Sequence, residues 1–135
     1  MIDIPDQIST AWIAAALVAF LAKHFLADFL FQTDWMATGK DRAEGWVPSL
    51  AAHASVHGAM TAALFLVVSP SLAWLGLVDA VIHGVIDRIK SLATQRAKLT
   101  PGQTTFWWLF GADQSFHHLT HVGLAILLAA AGSGG

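Results

Sequence analysis

Six of the seven histidines of this chain, together with three aspartates, lie inside its apolar segments. They recur at helical spacing: His24 with Asp28, His53 with His57, His83 with Asp87, and Asp113 with His117 and His121. An ionisable group at the centre of a membrane helix costs roughly 2.5–3.5 kcal/mol on insertion scales. Imidazole and carboxylate are ligands of transition metals, and residues four apart share one helical face. The pattern therefore predicts a metal-binding site inside a membrane bundle.

The donor set limits the metal and assigns roles. Without cysteine, only nitrogen and oxygen donors remain, so we expect a divalent ion, with zinc first and iron or manganese next. The predicted metal ligands are His24, Asp28, His53, His57, His83, Asp87, His117 and His121. Asp113 is the predicted general base, and Gln32, Lys90, Gln114 and Asp79 are predicted to orient ligands or bind substrate. His118 lies about 100° around the helix from His117, so we expect it to face the membrane interface or lipid.

The composition predicts what must hold these residues. The chain is 56% hydrophobic and 12% charged, with a mean hydropathy of +0.59, whereas soluble domains are about 45–50% apolar and about 25% charged. At roughly 20 residues per transmembrane helix, the 135 residues predict one all-α, four-helix membrane domain over residues 1–135. The predicted spans are about 12–31, 48–68, 72–92 and 112–131. A short interfacial piece at Phe106–Trp108 is expected to break at Gly111 before Asp113 opens the fourth span.

The basic residues predict the orientation. Lys40 and Arg42 follow the first span, and four more, Arg88, Lys90, Arg96 and Lys98, lie at the end of the third span and beyond. By the positive-inside bias, both long connections are cytoplasmic and both termini lie outside the cytoplasm, in the bacterial inner membrane. Lys23 is the exception, because it lies within the first span and must snorkel or form an ion pair.

Orientation places the polar pairs at a common depth. Counted from the predicted cytoplasmic ends at about 1.5 Å per residue, all four pairs lie roughly 6–14 Å deep. The order is also repetitive, since a His-x3-Asp pair followed by a His-x3-His pair occurs twice. This predicts a parallel internal repeat of two helices, which would supply enough ligands for two metal ions.

Four stretches resemble a known family. They are HFLADFLFQTDWM at 24–36, the His53-x3-His57 pair, HGVIDRIKS at 83–91 and DQSFHH at 113–118. At these residues the chain is similar to the bacterial membrane family catalogued as domain of unknown function 3307. The resemblance implies a small polytopic protein and carries no function. His121 lies outside the family's pattern, and Asp113 with His117 is the alternative fourth pair.

Several functions are compatible with such a site. The leading hypothesis is a metal-dependent hydrolase of a lipid-linked or amphipathic ester or phosphoester, working near the cytoplasmic leaflet of the bilayer. The alternatives are a haem or non-haem iron redox protein, a transporter or proton relay, and a structural subunit whose His–Asp contacts only pack helices. A net charge of −2 gives no indication of nucleic acid binding. Self-association into a homo-oligomer is compatible with the sequence.

Overall fold

A computed structural model describes residues 4–134, and these fold without any β-strand. The helices are α1 (Thr10–Phe25), which continues into a π-helical turn (Leu26–Leu30), α2 (Asp34–Gly39), α3 (Val47–Val68), α4 (Leu75–Arg96) and α5 (Thr104–Ser133). A single 3₁₀ turn, Pro70–Leu72, joins α3 to α4. The short helix α2 lies in the polar connection after the first span, where the Thr33 hydroxyl caps it by accepting the Met36 N–H at 3.3 Å.

Four long helices form the bundle. α3 packs along α4 as a helical hairpin, α1 packs along α5, and α5 also contacts α4. The hairpin is closest where Gly58 faces Gly76: a Cβ atom built on Gly58 would lie 2.6 Å from the Gly76 carbonyl oxygen. Small residues let helix backbones approach in this way in membrane bundles. The crossing fixes the polar faces of α3 and α4 against each other.

The interior of the bundle has an apolar half and a polar half. Phe20, Phe65, Leu75, Leu124 and Leu128 form the apolar half, with neighbouring alanines. The other half contains the buried histidines, aspartates and Lys23. The outer surface is rich in exposed aliphatic and aromatic side chains, among them Val67, Leu77 and Leu119. An apolar exterior around a polar interior is the arrangement expected in lipid.

The prediction of four apolar spans is corrected to three. Thr10–Leu30, Val47–Val68 and Thr104–Ser133 are long and apolar enough to cross a membrane. The third predicted span falls on α4, which has 22 residues but carries five charged side chains, Asp79, Asp87, Arg88, Lys90 and Arg96. Its composition is therefore too polar for an apolar span.

The predicted break at Gly111 is wrong. α5 runs without interruption from Thr104 to Ser133, so Asp113 lies within the helix and does not open it. A glycine inside a helix costs only about 1 kcal/mol relative to alanine, and the residues on both sides continue the helix. At about 1.5 Å per residue, the 30 residues of α5 extend roughly 45 Å.

Candidate functional site: a buried histidine–aspartate cluster

Three helices carry polar residues in steps of four along one face, and α1 carries one such step. α3 carries His53, His57 and Thr61; α4 carries Asp79, His83 and Asp87; α5 carries Asp113, His117 and His121; α1 carries His24, and the π-helical turn that continues it carries Asp28. Every one of these residues is buried except Asp28, which is partly buried. Residues four apart lie on one face of a helix, so the polar residues of each helix all face the interior of the bundle. The structure brings all eight predicted metal ligands into this interior.

The π-helical turn aims Asp28 at the histidines of α1 and α3. The Phe31 N–H donates to the Leu26 carbonyl at 2.9 Å, five residues back, which widens the turn around Asp28. Asp28 Oδ1 lies 2.9 Å from His57 Nε2 and 3.3 Å from His53 Nε2. Its Oδ2 lies 3.1 Å from His24 Nε2. One carboxylate thus contacts three imidazoles from two helices.

Asp87 organises a second group of ligands. Its carboxylate oxygens lie 3.3 Å from His117 Nε2, 3.6 Å from His53 Nε2 and 3.7 Å from His83 Nε2. His53 therefore approaches both carboxylates, Asp28 and Asp87. Lys40 reaches in from the segment after α2, and its Nζ lies 2.8 Å from Asp87 Oδ2. This group joins α3, α4 and α5.

The distances suit metal coordination. Three overlapping groups have all their ligand atoms within 4.8 Å of one another: Asp28 with His53, His57 and His83; His83 with Asp87 and His117; and His24 with His57 and His121. Donors on a tetrahedral zinc ion with bonds of about 2.0–2.1 Å lie about 3.3 Å apart. The Nε2 atoms of His53 and His83 are 3.1 Å apart. Residues 4–134 provide no hydrogen-bond partner for the Nδ1 atoms of His24, His53, His57 and His83, so only their Nε2 edges make polar contacts in the cluster.

A further set of polar residues, Lys23, Thr61, Asp79 and His121, lies between the Asp28 and Asp87 groups and the apolar core, and we call it the Lys23 layer. Lys23 Nζ donates to Asp79 Oδ2 at 2.5 Å, and the Thr61 hydroxyl donates to the same oxygen at 2.6 Å. Lys23, predicted to snorkel or pair, therefore pairs. Its Nζ also lies 3.1 Å from His121 Nε2, and because an ammonium can only donate, that nitrogen accepts. His121 is engaged by a lysine, unlike the other histidines of the cluster.

A cavity opens onto the cluster beside the ends of α1 and α4 and the beginning of α5. Its volume is 260 Å³, and Asp28, Asp87 and Asp113 contribute to its wall. Three residues predicted to orient ligands or bind substrate, Gln32, Lys90 and Gln114, also line it, whereas Asp79 lies in the Lys23 layer. Asp113 Oδ1 lies 3.5 Å from His117 Nε2, and its Oδ2 accepts the Gln114 amide at 3.0 Å. His118 is exposed, as predicted.

Two residues of the site were missed by the sequence reasoning. Thr61 is fully buried and follows His57 by four residues, so the same periodicity could have identified it. Lys40 was read only as a topology signal. Its contact with Asp87 depends on how α2 folds back toward the bundle, and nothing in the local sequence indicates it.

Comparison with known proteins identifies a family and no function. None of the curated proteins matches the chain, and none of the solved structures does. A family model described as "Protein of unknown function (DUF3307)" matches residues 16–132, which include every residue of the cluster. The chain therefore belongs to this family, as the four matching stretches of its sequence predicted.

Proposed function

We propose that the chain is a metal-dependent hydrolase whose active site is the buried His/Asp cluster, acting on an ester or phosphoester of an amphipathic molecule. The observation that carries this proposal is the environment of Asp28. Three imidazole Nε2 atoms surround its carboxylate at 2.9–3.3 Å. Two of these imidazoles, His53 and His57, form with Asp28 and His83 a group whose ligand atoms all lie within 4.8 Å of one another, close enough to hold one ion.

The charge balance supports a bound cation. Asp28, Asp87 and Asp113 bring three carboxylates to the cluster, and Lys40 pairs with only one of them, Asp87. Within residues 4–134, the groups within ion-pair distance of Asp28 are all imidazoles. An uncompensated charge in the interior costs several kcal/mol. A divalent ion held by Asp28, His53 and His57 offsets this cost, and the His83, Asp87 and His117 group offers a place for a second ion.

The reaction follows from what such an ion does to water. A zinc ion held by these residues would supply hydroxide at neutral pH, because zinc lowers the pKa of a bound water to about 7. Asp113, whose Oδ1 has no hydrogen bond within the described chain, accepts the proton. The oxygen of the water would bond to the carbonyl carbon or phosphorus while the bond from that atom to the alcohol oxygen breaks. The proton then passes from Asp113 to the departing oxygen, so one water yields an acid and an alcohol.

The membrane setting supports an amphipathic substrate. We place α4 across the membrane together with the three apolar helices, because its buried face carries Asp79, His83 and Asp87 while its outer face exposes Leu77, Val85 and other aliphatic side chains. The basic residues favour cytoplasmic connections between α1 and α3 and between α4 and α5, with both termini outside the cytoplasm. The cavity then opens toward the cytoplasmic leaflet of the inner membrane, where the polar groups of lipids lie.

The same geometry weighs against two alternatives. A haem held by two histidines needs the flat porphyrin between their rings, and the 3.1 Å between His53 and His83 Nε2 leaves no room for it. A transport path would have to continue along the bundle beyond the Lys23 layer. The next residues in that direction are Phe20 and Phe65, which are both buried in the apolar core. Non-haem iron uses the same donors as zinc, so elemental analysis and an absorbance spectrum distinguish these two.

The test is metal content, compared between two histidine variants. Protein purified in detergent should carry stoichiometric divalent metal, which His83→Ala should lower and His118→Ala, the same change at an exposed histidine of the same bundle, should leave in place. A bound ion stabilises the fold by about 2.7 kcal/mol at a free concentration about 100 times its Kd. A chelator should therefore lower the Tm of the wild type and not that of His83→Ala. If the wild-type protein carries no stoichiometric metal and its Tm changes with neither chelator nor added zinc, the proposal is wrong and the cluster serves only to pack the helices.

A further inference from the structure

An apolar groove runs between α4 and α5 on the outer surface of the bundle. Its volume is 330 Å³, and its walls are Ile86 and Ile89 from α4 and Leu109, Ala112 and Phe116 from α5. Ile89 and Phe116 are largely exposed. Lys90 and Asp113 are the polar residues at its edge.

The groove adjoins the cavity over the His/Asp cluster. Lys90 and Asp113 line both, so these two side chains stand between the two spaces. On one side of them the walls are aliphatic and aromatic. On the other side lie Asp28, Asp87 and Gln114. A molecule that fills both spaces must have an alkyl part joined to a polar part.

The position of the groove along α5 fits a lipid. Trp107 and Trp108, both largely exposed, directly precede Leu109, and exposed tryptophans are typical of the boundary between headgroups and hydrocarbon. From Leu109 to Phe116 the helix rises about 10 Å. The groove therefore begins at this boundary and runs into the hydrocarbon, so that a lipid chain can enter it from the side.

Lys90 offers a cation for an anionic head once a metal ion offsets the carboxylates of Asp28, Asp41, Asp87 and Asp113 that also line the cavity. Lys40 Nζ is held by Asp87 at 2.8 Å, whereas Lys90, whose side chain is 17% exposed, has its Nζ at the longer distance of 3.5 Å from Asp41, which is 46% exposed. Lys90 can therefore turn to an anion in the cavity at little cost. The groove walls are no more apolar than the lipid tails that surround the protein. The alkyl chain of the bound lipid therefore only orients the molecule, and its headgroup must contribute most of the binding free energy.

From this adjacency we infer that the substrate is a lipid phosphoester, with one alkyl chain in the α4–α5 groove and its phosphate bound by Lys90 beside the metal ligands. The inference rests on the proposed hydrolase, because it names the substrate class of that site. In this inference Lys90 recognises the headgroup, and the small side chain of Ala112 leaves room for the alkyl chain in the groove.

The probe is dodecyl phosphate, added to the purified full chain in a non-ionic detergent. Binding is followed as the concentration-dependent rise in Tm, with inorganic phosphate and dodecanol as parallel probes. Only dodecyl phosphate should raise the Tm at low concentration. Ala112→Trp, which fills the groove, and Lys90→Gln should each raise the dodecyl phosphate concentration needed for the same rise in Tm by about tenfold. The matched control is Ala51→Trp, which fills the 340 Å³ groove between α3 and α4 and should change the response by less than about twofold.

The outcomes separate this inference from the proposed function. An equal response to inorganic phosphate, or to dodecanol, would overturn it, as would a response unchanged in both Ala112→Trp and Lys90→Gln. Metal content measured on the same samples reports on the hydrolase independently. Wild-type protein that holds metal but does not respond to dodecyl phosphate keeps the metal site and rejects the lipid phosphoester.

Discussion

Lys23 and Asp79 form an ion pair with almost no solvent exposure, 3% and 1% for the two residues. Asp79 is further held by the Thr61 hydroxyl, and Lys23 by His121. A buried pair of this kind adds little net stability, but removal of one partner leaves a charge without compensation. The Lys23 ammonium also occupies the Nε2 atom of His121 at 3.1 Å, so the pair influences whether His121 is free to bind metal.

We predict that Lys23→Met lowers the free energy of unfolding by about 3–5 kcal/mol, because it leaves the buried Asp79 carboxylate without its ammonium partner. Lys23→Met combined with Asp79→Asn should lose less than Lys23→Met alone, since no charge remains. Chemical denaturation in detergent measures both, and Lys98→Met, at an exposed lysine, is the control. Asp79→Asn alone completes the comparison. A loss of unfolding free energy in the double variant equal to the sum of the losses in Lys23→Met and Asp79→Asn would show that the ion pair does not couple these residues.

At the scale of elements, the α3–α4 hairpin determines which histidines face which aspartates. Gly58 and Gly76 allow the two backbones to touch, which brings His53 to within 3.1 Å of His83. The predicted internal repeat is followed only in part by these contacts. Asp28 to His53 and Asp87 to His117 are both 3.3 Å, but His57 contacts Asp28 whereas its counterpart His121 contacts Asp79.

We predict that Gly58→Ala destabilises the protein by about 1–3 kcal/mol, the usual cost of overpacking. The new Cβ would lie 2.6 Å from the Gly76 carbonyl oxygen and 2.8 Å from Ala80 Cβ, so α3 and α4 must separate. Gly84→Ala on the same helix pair is the matched control, because its Cβ meets Ala54 Cβ at an ordinary 3.6 Å. Alanine has the better helix propensity, so this control should be neutral or stabilising by up to about 1 kcal/mol.

Metal content of the two glycine variants tests the link between the crossing and the site. Gly58→Ala should also bind metal more weakly, since His53 and His57 move with α3. Unfolding that is equally affected in Gly58→Ala and Gly84→Ala would show that close backbone contact is not what fixes the hairpin.

At the scale of the whole molecule, three helices are long and apolar enough to cross a membrane, and we propose that α4 crosses with them. We predict that Ser71, in the turn between α3 and α4, lies outside the cytoplasm and that Arg96, at the end of α4, lies inside. Because the chain has no cysteine, Ser71→Cys and Arg96→Cys each provide one thiol for a membrane-impermeant maleimide. Intact cells should label only Ser71→Cys, and lysed cells should label both.

Two other labelling patterns would each correct a different part of this topology. If both thiols report the same side, α4 does not cross, and only the three apolar helices span the membrane. If Arg96→Cys alone is labelled in intact cells, the four crossings hold but the orientation from the positive residues is reversed.

Local periodicity in the sequence was sufficient to predict the all-α class, the approximate course of all four long helices and the inward faces that carry the histidines and aspartates. Residues four apart share a face whatever the helix packs against, so His53 with His57 and His83 with Asp87 could be paired without a structure. The family also followed from the sequence, since the same residues lie within the matched region.

Contacts between helices were decided only by the tertiary structure. Helix rotation and packing bring His53 between Asp28 and Asp87, assign His121 to Lys23 and Asp79, and bring Lys40 from a loop to Asp87. The π-helical turn around Asp28 and the uninterrupted helix through Gly111 are likewise set by packing, which can outweigh local propensities of about 1 kcal/mol. The sequence determined which side chains enter the interior, and packing determined which of them meet there.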